Sequence, residues 1–139
     1  MIRKKATLAL VHSAEDVRSF TSRKLDLLKC CAFDPRVSAC EFRVLYVIVQ
    51  HLNQRTGLAR LSDETIADEA GRCSTRQVRR ARAKLRKLDW LTWTRTNTAN
   101  SYKVEYAQVE RFLDLIAIFR DERAERRARR GVGVRGPLR

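Results

Sequence analysis

Between Arg72 and Leu88 the chain carries eight basic residues and no acidic one, while Val78, Ala81, Leu85 and Leu88 recur at steps of three and four. That recurrence defines a helix with one narrow buried stripe. Arg76, Arg79, Arg80, Arg82, Lys84, Arg86 and Lys87 occupy its remaining faces. Ser74 followed three residues later by Gln77 forms a capping box, which sets the helix start at Thr75. Unopposed like charges three or four residues apart weaken a helix, and an ordinary solvated face mixes signs. The segment therefore predicts a helix that packs through its stripe and offers its arginines to something negative.

The whole chain agrees in sign. Thirty Lys and Arg against sixteen Asp and Glu leave a formal charge of +14, which favours polyanions as partners. Nucleic acid ranks first, an anionic membrane second, and a ribosomal or capsid-like structural role third. The apolar run near the start is interrupted by Thr7, and Leu115 to Phe119 is far too short, so neither spans a bilayer nor serves well as a signal segment.

The chemistry-bearing residues point away from catalysis. Cys30, Cys31, Cys40 and Cys73 show no ligand spacing, and His12 and His51 do not complete one, so no metal and no cofactor are expected. Reduced, partly buried thiols in a cytosolic protein are the reading. Cys73, beside the basic helix, is expected to have a lowered pKa and to be oxidisable. Carboxylates are scattered, the histidines do not pair, and the glycines form no phosphate loop behind a strand. An enzyme is not expected.

The length of 139 residues suits one ordinary domain. Residues 1–14 read as a flexible lead. Val17, Phe20, Leu25, Leu27 and Leu28 suggest a helix from Ala14 to Cys31 with a break near Thr21-Ser22, closed by the turn at Asp34-Pro35. Ser38 and Glu41 form a capping box for a strongly apolar helix through Phe42, Leu45, Val49 and Leu52, the centre of the core. Leu58 to Leu61 reads as a short strand. Ser62 caps a two-turn helix that stops at Gly71. Leu91 to Arg95 and Ser101 to Val104 alternate as two strands of a hairpin around a turn-rich tip. From Ala107 the period is helical again, with Gly131 as its stop and a disordered tail over 131–139.

This order of elements resembles the winged helix-turn-helix superfamily. Leu61-Ser-Asp-Glu-Thr-Ile-Ala-Asp-Glu-Ala-Gly71 is similar to the first half of its motif, and Ser74-Thr-Arg-Gln-Val78 to the opening of its recognition helix. Leu85, Leu88-Asp-Trp-Leu91 and Asn100-Ser-Tyr102-Lys-Val104 are similar to the passage into the wing and its returning strand, as in bacterial plasmid and phage replication initiators and related regulators. The turn between Gly71 and Val78 is one residue longer than the pattern, placing an extra residue at Arg72 or Cys73. A glycine usual before the wing is replaced by Asp89 or Trp90. The resemblance implies a mainly α fold with a small β-hairpin: a winged helix-turn-helix domain over 15–106 with an N-terminal helical extension, and an additional C-terminal helix over 107–130.

The resemblance also implies a double-stranded DNA-binding protein, acting as a transcriptional regulator or replication-initiation accessory factor. A winged-helix protein-docking module and an RNA-binding protein are the alternatives. Thr75, Arg76, Gln77, Arg79 and Arg80 are the expected groove-reading residues, since the N-terminal part of a recognition helix reaches base edges. Arg72, Arg82, Arg86 and Lys87 are expected at phosphates, and Arg95, Asn97, Asn100 and Lys103 on the wing. Trp93 and Tyr102 are either stacking groups for single strands or, as their alternation favours, core aromatics, with Trp90 in the core. The face of Phe112, Leu115, Ile116 and Phe119 either covers the domain or forms a homodimer. The run from Asp121 to Arg130 offers acid-to-base pairs at three and four residues, suiting a self-stabilised solvated helix, and its last four arginines also suit flanking phosphates.

Overall fold

A computed structural model describes residues 19–135. The lead over 1–14, the first residues of the expected N-terminal helix up to residue 18 and the last four residues lie outside the described residues. The chain divides into two units, Met1–Tyr106 and Ala107–Arg139.

The described part of the first unit opens with helix α1 over 19–33. It runs unbroken through Thr21 and Ser22, contrary to the expected interruption. Both residues are exposed, so their hydroxyls leave the packing undisturbed, while Leu27, Leu28, Cys30 and Cys31 further along the helix are buried. Helix α2 (Ala39–Gln50) starts at Ser38, whose Oγ accepts from the Glu41 amide. It buries Val44, Leu45, Val47, Ile48 and Val49. Each such side chain contributes about 1.5–3 kcal/mol on burial, which makes α2 the axis of the core.

Strand β1 (Leu58–Leu61) leads into helix α3 (Asp63–Glu69), a short turn, and helix α4 (Thr75–Lys87). Strands β2 (Leu91–Arg95) and β3 (Asn100–Val104) form the hairpin. The expected hairpin is thus part of a three-stranded antiparallel sheet in the order β1-β3-β2. Leu61 pairs with Asn100 and Leu58 with Lys103, while Trp93 pairs with Tyr102 across the hairpin. The unit is mainly helical with one small sheet, and α2 packs on both α3 and α4.

The turn between α3 and α4 rests on two left-handed residues. Gly71 and Arg72 lie one after the other in the left-handed region, at φ 85° and 59°. Two consecutive residues of this kind reverse the chain within a short span, with glycine at the more extreme of the two positions. Asp89 has φ 63°, so it takes the left-handed position where the resemblance implies glycine. Aspartate tolerates that region better than most side chains.

Asp34 joins two distant turns. Its carboxylate is fully buried; it accepts from Arg36 Nε and Nη2, both at 2.9 Å, from the Arg36 amide at 3.0 Å, and from Trp90 Nε1 at 2.9 Å. Burial is the largest influence and opposes its ionisation. The hydrogen bonds from Arg36 and Trp90 together outweigh it and hold the carboxyl below its ordinary value. This contact pins the α1–α2 turn to the α4–β2 connection.

The second unit holds helix α5 (Val109–Arg135), 27 residues or roughly 40 Å long. It continues through Gly131 rather than stopping there. Gly131 does not adopt the positive φ of a helix-ending glycine, and a single interior glycine costs a helix only about 1 kcal/mol relative to alanine. Among the described residues no helix is long and apolar enough to cross a membrane.

Candidate nucleic-acid interface

Helix α4 is laid down by its cap and its stripe. Ser74 Oγ accepts from the Gln77 amide at 3.1 Å, and Gln77 Oε1 accepts from the Ser74 amide at 2.8 Å. Val78, Ala81 and Leu85 are buried, with Leu88 just beyond the last turn. The seven cationic positions between 76 and 87 then fall into two groups that the sequence does not distinguish.

One group faces α3 and the sheet. Arg82 is ion-paired with Asp63 at the start of α3 and donates to Tyr102 Oη at 3.1 Å; its side chain is only 12 % exposed. Tyr102 Oη also accepts from Asn100 Nδ2 at 3.3 Å. Asp63, Arg82, Tyr102 and Asn100 thus form one polar chain from α3 across α4 to β3. Arg79 Nη1 stands 3.5 Å from the same Asp63 carboxylate, though its side chain remains 54 % exposed. Arg86 lies over the Trp93 ring at 4.7 Å and Arg82 at 5.4 Å, cation–π contacts that hold both guanidinium groups toward the hairpin.

The other group faces outward. Steps of four, three and four place Arg76, Arg80, Ala83 and Lys87 on one line opposite the buried stripe, flanked by Lys84. All five are exposed. No hydrogen bond or ion pair among the described residues engages the side chains of Arg76, Arg80, Lys84 or Lys87. Ala83 puts a methyl group in the middle of the line, so the helix backbone can approach a flat or grooved partner closely there.

The expected site residues therefore separate. Arg76, Arg80 and Lys87 are outward and free. Thr75 is half-buried at the first helical position. Gln77 has its carbonyl oxygen committed to the cap and retains only its amide donors. Arg72 is exposed in the turn, with a left-handed backbone. Arg82, expected at a phosphate, and Asn100, expected on the wing surface, are both withdrawn into the Asp63–Tyr102 network. Asn100 is 8 % exposed.

The hairpin shows a similar division. Arg95 pairs with Asn100 on the sheet face shared by Trp93 and Tyr102. Arg95 and Asn97 are exposed and line a cleft with Ser62, Asp63 and Glu64. Its tip is closed by Thr96 N donating to Ala99 O at 2.9 Å and Ala99 N to Thr96 Oγ1 at 3.1 Å. Lys103 instead pairs with Thr92 and Leu58 on the opposite face, where it lines a depression with Arg23, Arg55 and Tyr106. Period-two alternation puts it there, so it does not join Arg95 in one surface. Tyr102 and Trp90 are fully buried, while Trp93 is the half-exposed platform beneath Arg82 and Arg86.

Cys73 does not behave as its basic neighbourhood suggests. Burial, followed by the nearby Cys40, raises its pKa, and Arg43 opposes this only weakly; Sγ donates to Ala67 O at 3.8 Å. The thiol is kept protonated rather than activated. Burial first, then Asp34, Glu41 and Cys30, pushes the Cys31 thiol up to about 12.

On α5, Leu115 and Phe119 are exposed, Ile116 is half-buried and Phe112 is buried, so the four do not form one open face. Ile118 is 51 % exposed beside them. Among the described residues no three of His, Cys, Asp and Glu gather as a metal-binding group. No protein-family profile, curated protein or solved structure matches the chain.

Proposed function

We propose that this protein is a winged helix-turn-helix factor that binds double-stranded DNA by presenting the outward line of α4 to the major groove. The observation that carries this reading is the four-cation surface of Arg76, Arg80, Lys84 and Lys87, without an internal partner on a helix whose buried side is well packed. Solvation alone does not call for an all-basic face, whereas phosphates and guanine edges do. Arg76, at the N-terminal end, is the best-placed base reader, with Arg80 one turn on; Lys84 and Lys87 suit phosphates. The β2–β3 hairpin serves as the wing, with Arg95 and Asn97 at its tip. A nucleoid-bound regulator of transcription, or an accessory factor in replication initiation, is the corresponding cellular role. A homodimer through the exposed Leu115, Ile118 and Phe119 of α5 belongs to the same proposal.

The test is selection of bound sequences from random duplexes, with solution mass measured alongside and affinity read for Arg76→Ala/Arg80→Ala. An enriched motif and a steep salt dependence that the double variant loses are expected. A palindromic motif with a doubled mass supports the dimer. Unchanged duplex affinity in the variant refutes the assignment of α4. Stronger binding to structured RNA, or capture of a protein partner with only weak polyanion binding, replaces DNA by that partner.

A further inference from the structure

The C-terminal half of α5 carries a second charge pattern that the reading of α4 does not use. Steps of three, four and three align Arg120, Arg123, Arg127 and Arg130, and Arg126 lies beside them. Arg123, Arg126, Arg127 and Arg130 line one depression on the helix surface. Asp121, Glu125 and Arg129 follow one another at steps of four on the other side. The line of Arg120, Arg123, Arg127 and Arg130 carries no acid, and Glu122 lies beyond Arg126, four residues before it.

Acid-to-base pairs four residues apart support a solvated helix, and this stretch offers two, Glu122 with Arg126 and Glu125 with Arg129, neither of them within the line of Arg120, Arg123, Arg127 and Arg130. Within α5 the described residues form a single ion pair, Arg129 with Glu125 at 3.7 Å, on the side away from the arginine line. Along that line, Arg123 meets Arg126 and Arg127, and Arg130 meets Arg126 and Arg127, at like-charged spacings of three and four that weaken an isolated helix. An external polyanion removes that repulsion. From Arg120 to Arg130 the helix rises about 15 Å, and a duplex presents one charge per roughly 1.7 Å of its axis, so every arginine of the line has phosphates within its span. A helix lying on a membrane needs large apolar side chains beside its basic flank. Between 120 and 130 the apolar residues are Ala124 and Ala128 only.

We propose that Arg120, Arg123, Arg126, Arg127 and Arg130 form a second, sequence-independent surface that engages the phosphate backbone of duplex DNA, an inference that rests on the DNA-binding reading of this protein. Arginine's planar fork suits such an interaction, and without base edges in reach it adds affinity and salt dependence but no sequence preference.

The experiment uses the full chain and a mixed-sequence duplex titrated at several salt concentrations. Arg123→Gln/Arg126→Gln/Arg127→Gln/Arg130→Gln retains helix propensity and is compared with Arg129→Gln, with helicity checked by circular dichroism. The quadruple variant is expected to flatten the log-affinity against log-salt slope by about 2–4 units, at about 0.9 for each phosphate that is no longer neutralised, with Arg129→Gln unchanged. An unchanged slope in the quadruple variant overturns the proposal. If Arg76→Gln/Arg80→Gln still flattens the slope, α4 stands and only the α5 surface fails; if neither set changes it, the DNA-binding reading fails with it. A flattening on Arg129→Gln as large as the per-residue effect on the line also overturns it, since the effect is then diffuse charge. Tight binding to anionic phosphatidylserine vesicles, competed by duplex only weakly and abolished in the quadruple variant, replaces DNA by a membrane.

Discussion

Replacing Arg82 by methionine, alongside Arg76→Gln/Arg80→Gln, separates an arginine that holds the fold together from arginines that face outward. Arg82 is 12 % and Asp63 20 % exposed, and the pair is reinforced by the hydrogen bond to Tyr102 Oη. Hydrogen bonds to charged groups contribute about 1.5–3 kcal/mol, and the residual exposure of both partners screens the charge, so Arg82→Met should lower stability by about 2 kcal/mol. At roughly 4–8 °C per kcal/mol for a domain of this size, Tm falls on the order of 10 °C. The methionine stem preserves much of the packing against Trp93, which isolates the polar loss.

The same substitution should leave the salt dependence of duplex binding unaltered, because the Arg82 guanidinium is already engaged by Asp63 and Tyr102. Arg76→Gln/Arg80→Gln should do the reverse. Stability stays within about 0.5 kcal/mol, as for surface changes generally. The salt slope flattens by about 1.8 units, so that over a fourfold rise in salt the variant loses roughly 12-fold less affinity than the parent. Thermal melts and fluorescence-anisotropy titrations read the two quantities. A melt of Arg82→Met that matches the parent together with a slope flattened by a full unit would refute the division of α4 into inward and outward arginines.

Other outcomes follow from the same structure. Asp34→Asn removes the charge that binds Arg36 and Trp90 and should destabilise the fold by about 2–3 kcal/mol in chemical denaturation at neutral pH. The folded carboxyl titrates below its unfolded value of about 3.9, so this stability is present above the unfolded pKa and disappears as pH falls through the folded one; the acid limb followed by tryptophan fluorescence should be flatter in the variant. Leu85→Ala, at a fully buried position, should cost about 2–5 kcal/mol by urea unfolding. Gly71→Ala places a Cβ at φ +85° and 3.5 Å from the Arg43 guanidinium, and should cost about 1–2 kcal/mol. The Cys31 thiol, fully buried with its pKa pushed up to about 12, should resist a thiol reagent at pH 8 in the native protein and react on unfolding; rapid native labelling would contradict that burial.

Local pattern carried most of the secondary structure. The caps at Ser38, Ser62 and Ser74, the stripe of Val78, Ala81 and Leu85, and the strands on either side of the tip are visible because cap chemistry and residue periodicity act over a few residues. The helix boundaries that differ, at Thr21-Ser22 and Gly131, are places where a weak local signal was overridden. Exposed hydroxyls do not interrupt a helix that is packed further along, and one glycine without a left-handed backbone does not end one.

The candidate site was legible as a helix and not as a set of residues. Arg82, Arg79 and Arg76 look alike in sequence, and what distinguishes them is Asp63, nineteen residues before Arg82, and Tyr102, twenty residues after it. The Asp34–Trp90 bond spans fifty-six residues and leaves no periodic trace. Lys103 likewise needed the register of β3 against β1 and β2 before its face was known.

What the sequence determined by itself is that α4 forms, where it starts, which side it buries and that its remainder is basic, since all of these follow from short-range propensity, capping and helical period. Only the tertiary structure decided which of those cations are spent inside the fold and which are left facing outward. That depends on which carboxylates and rings chain folding brings within a few ångströms, and no local pattern encodes such distances.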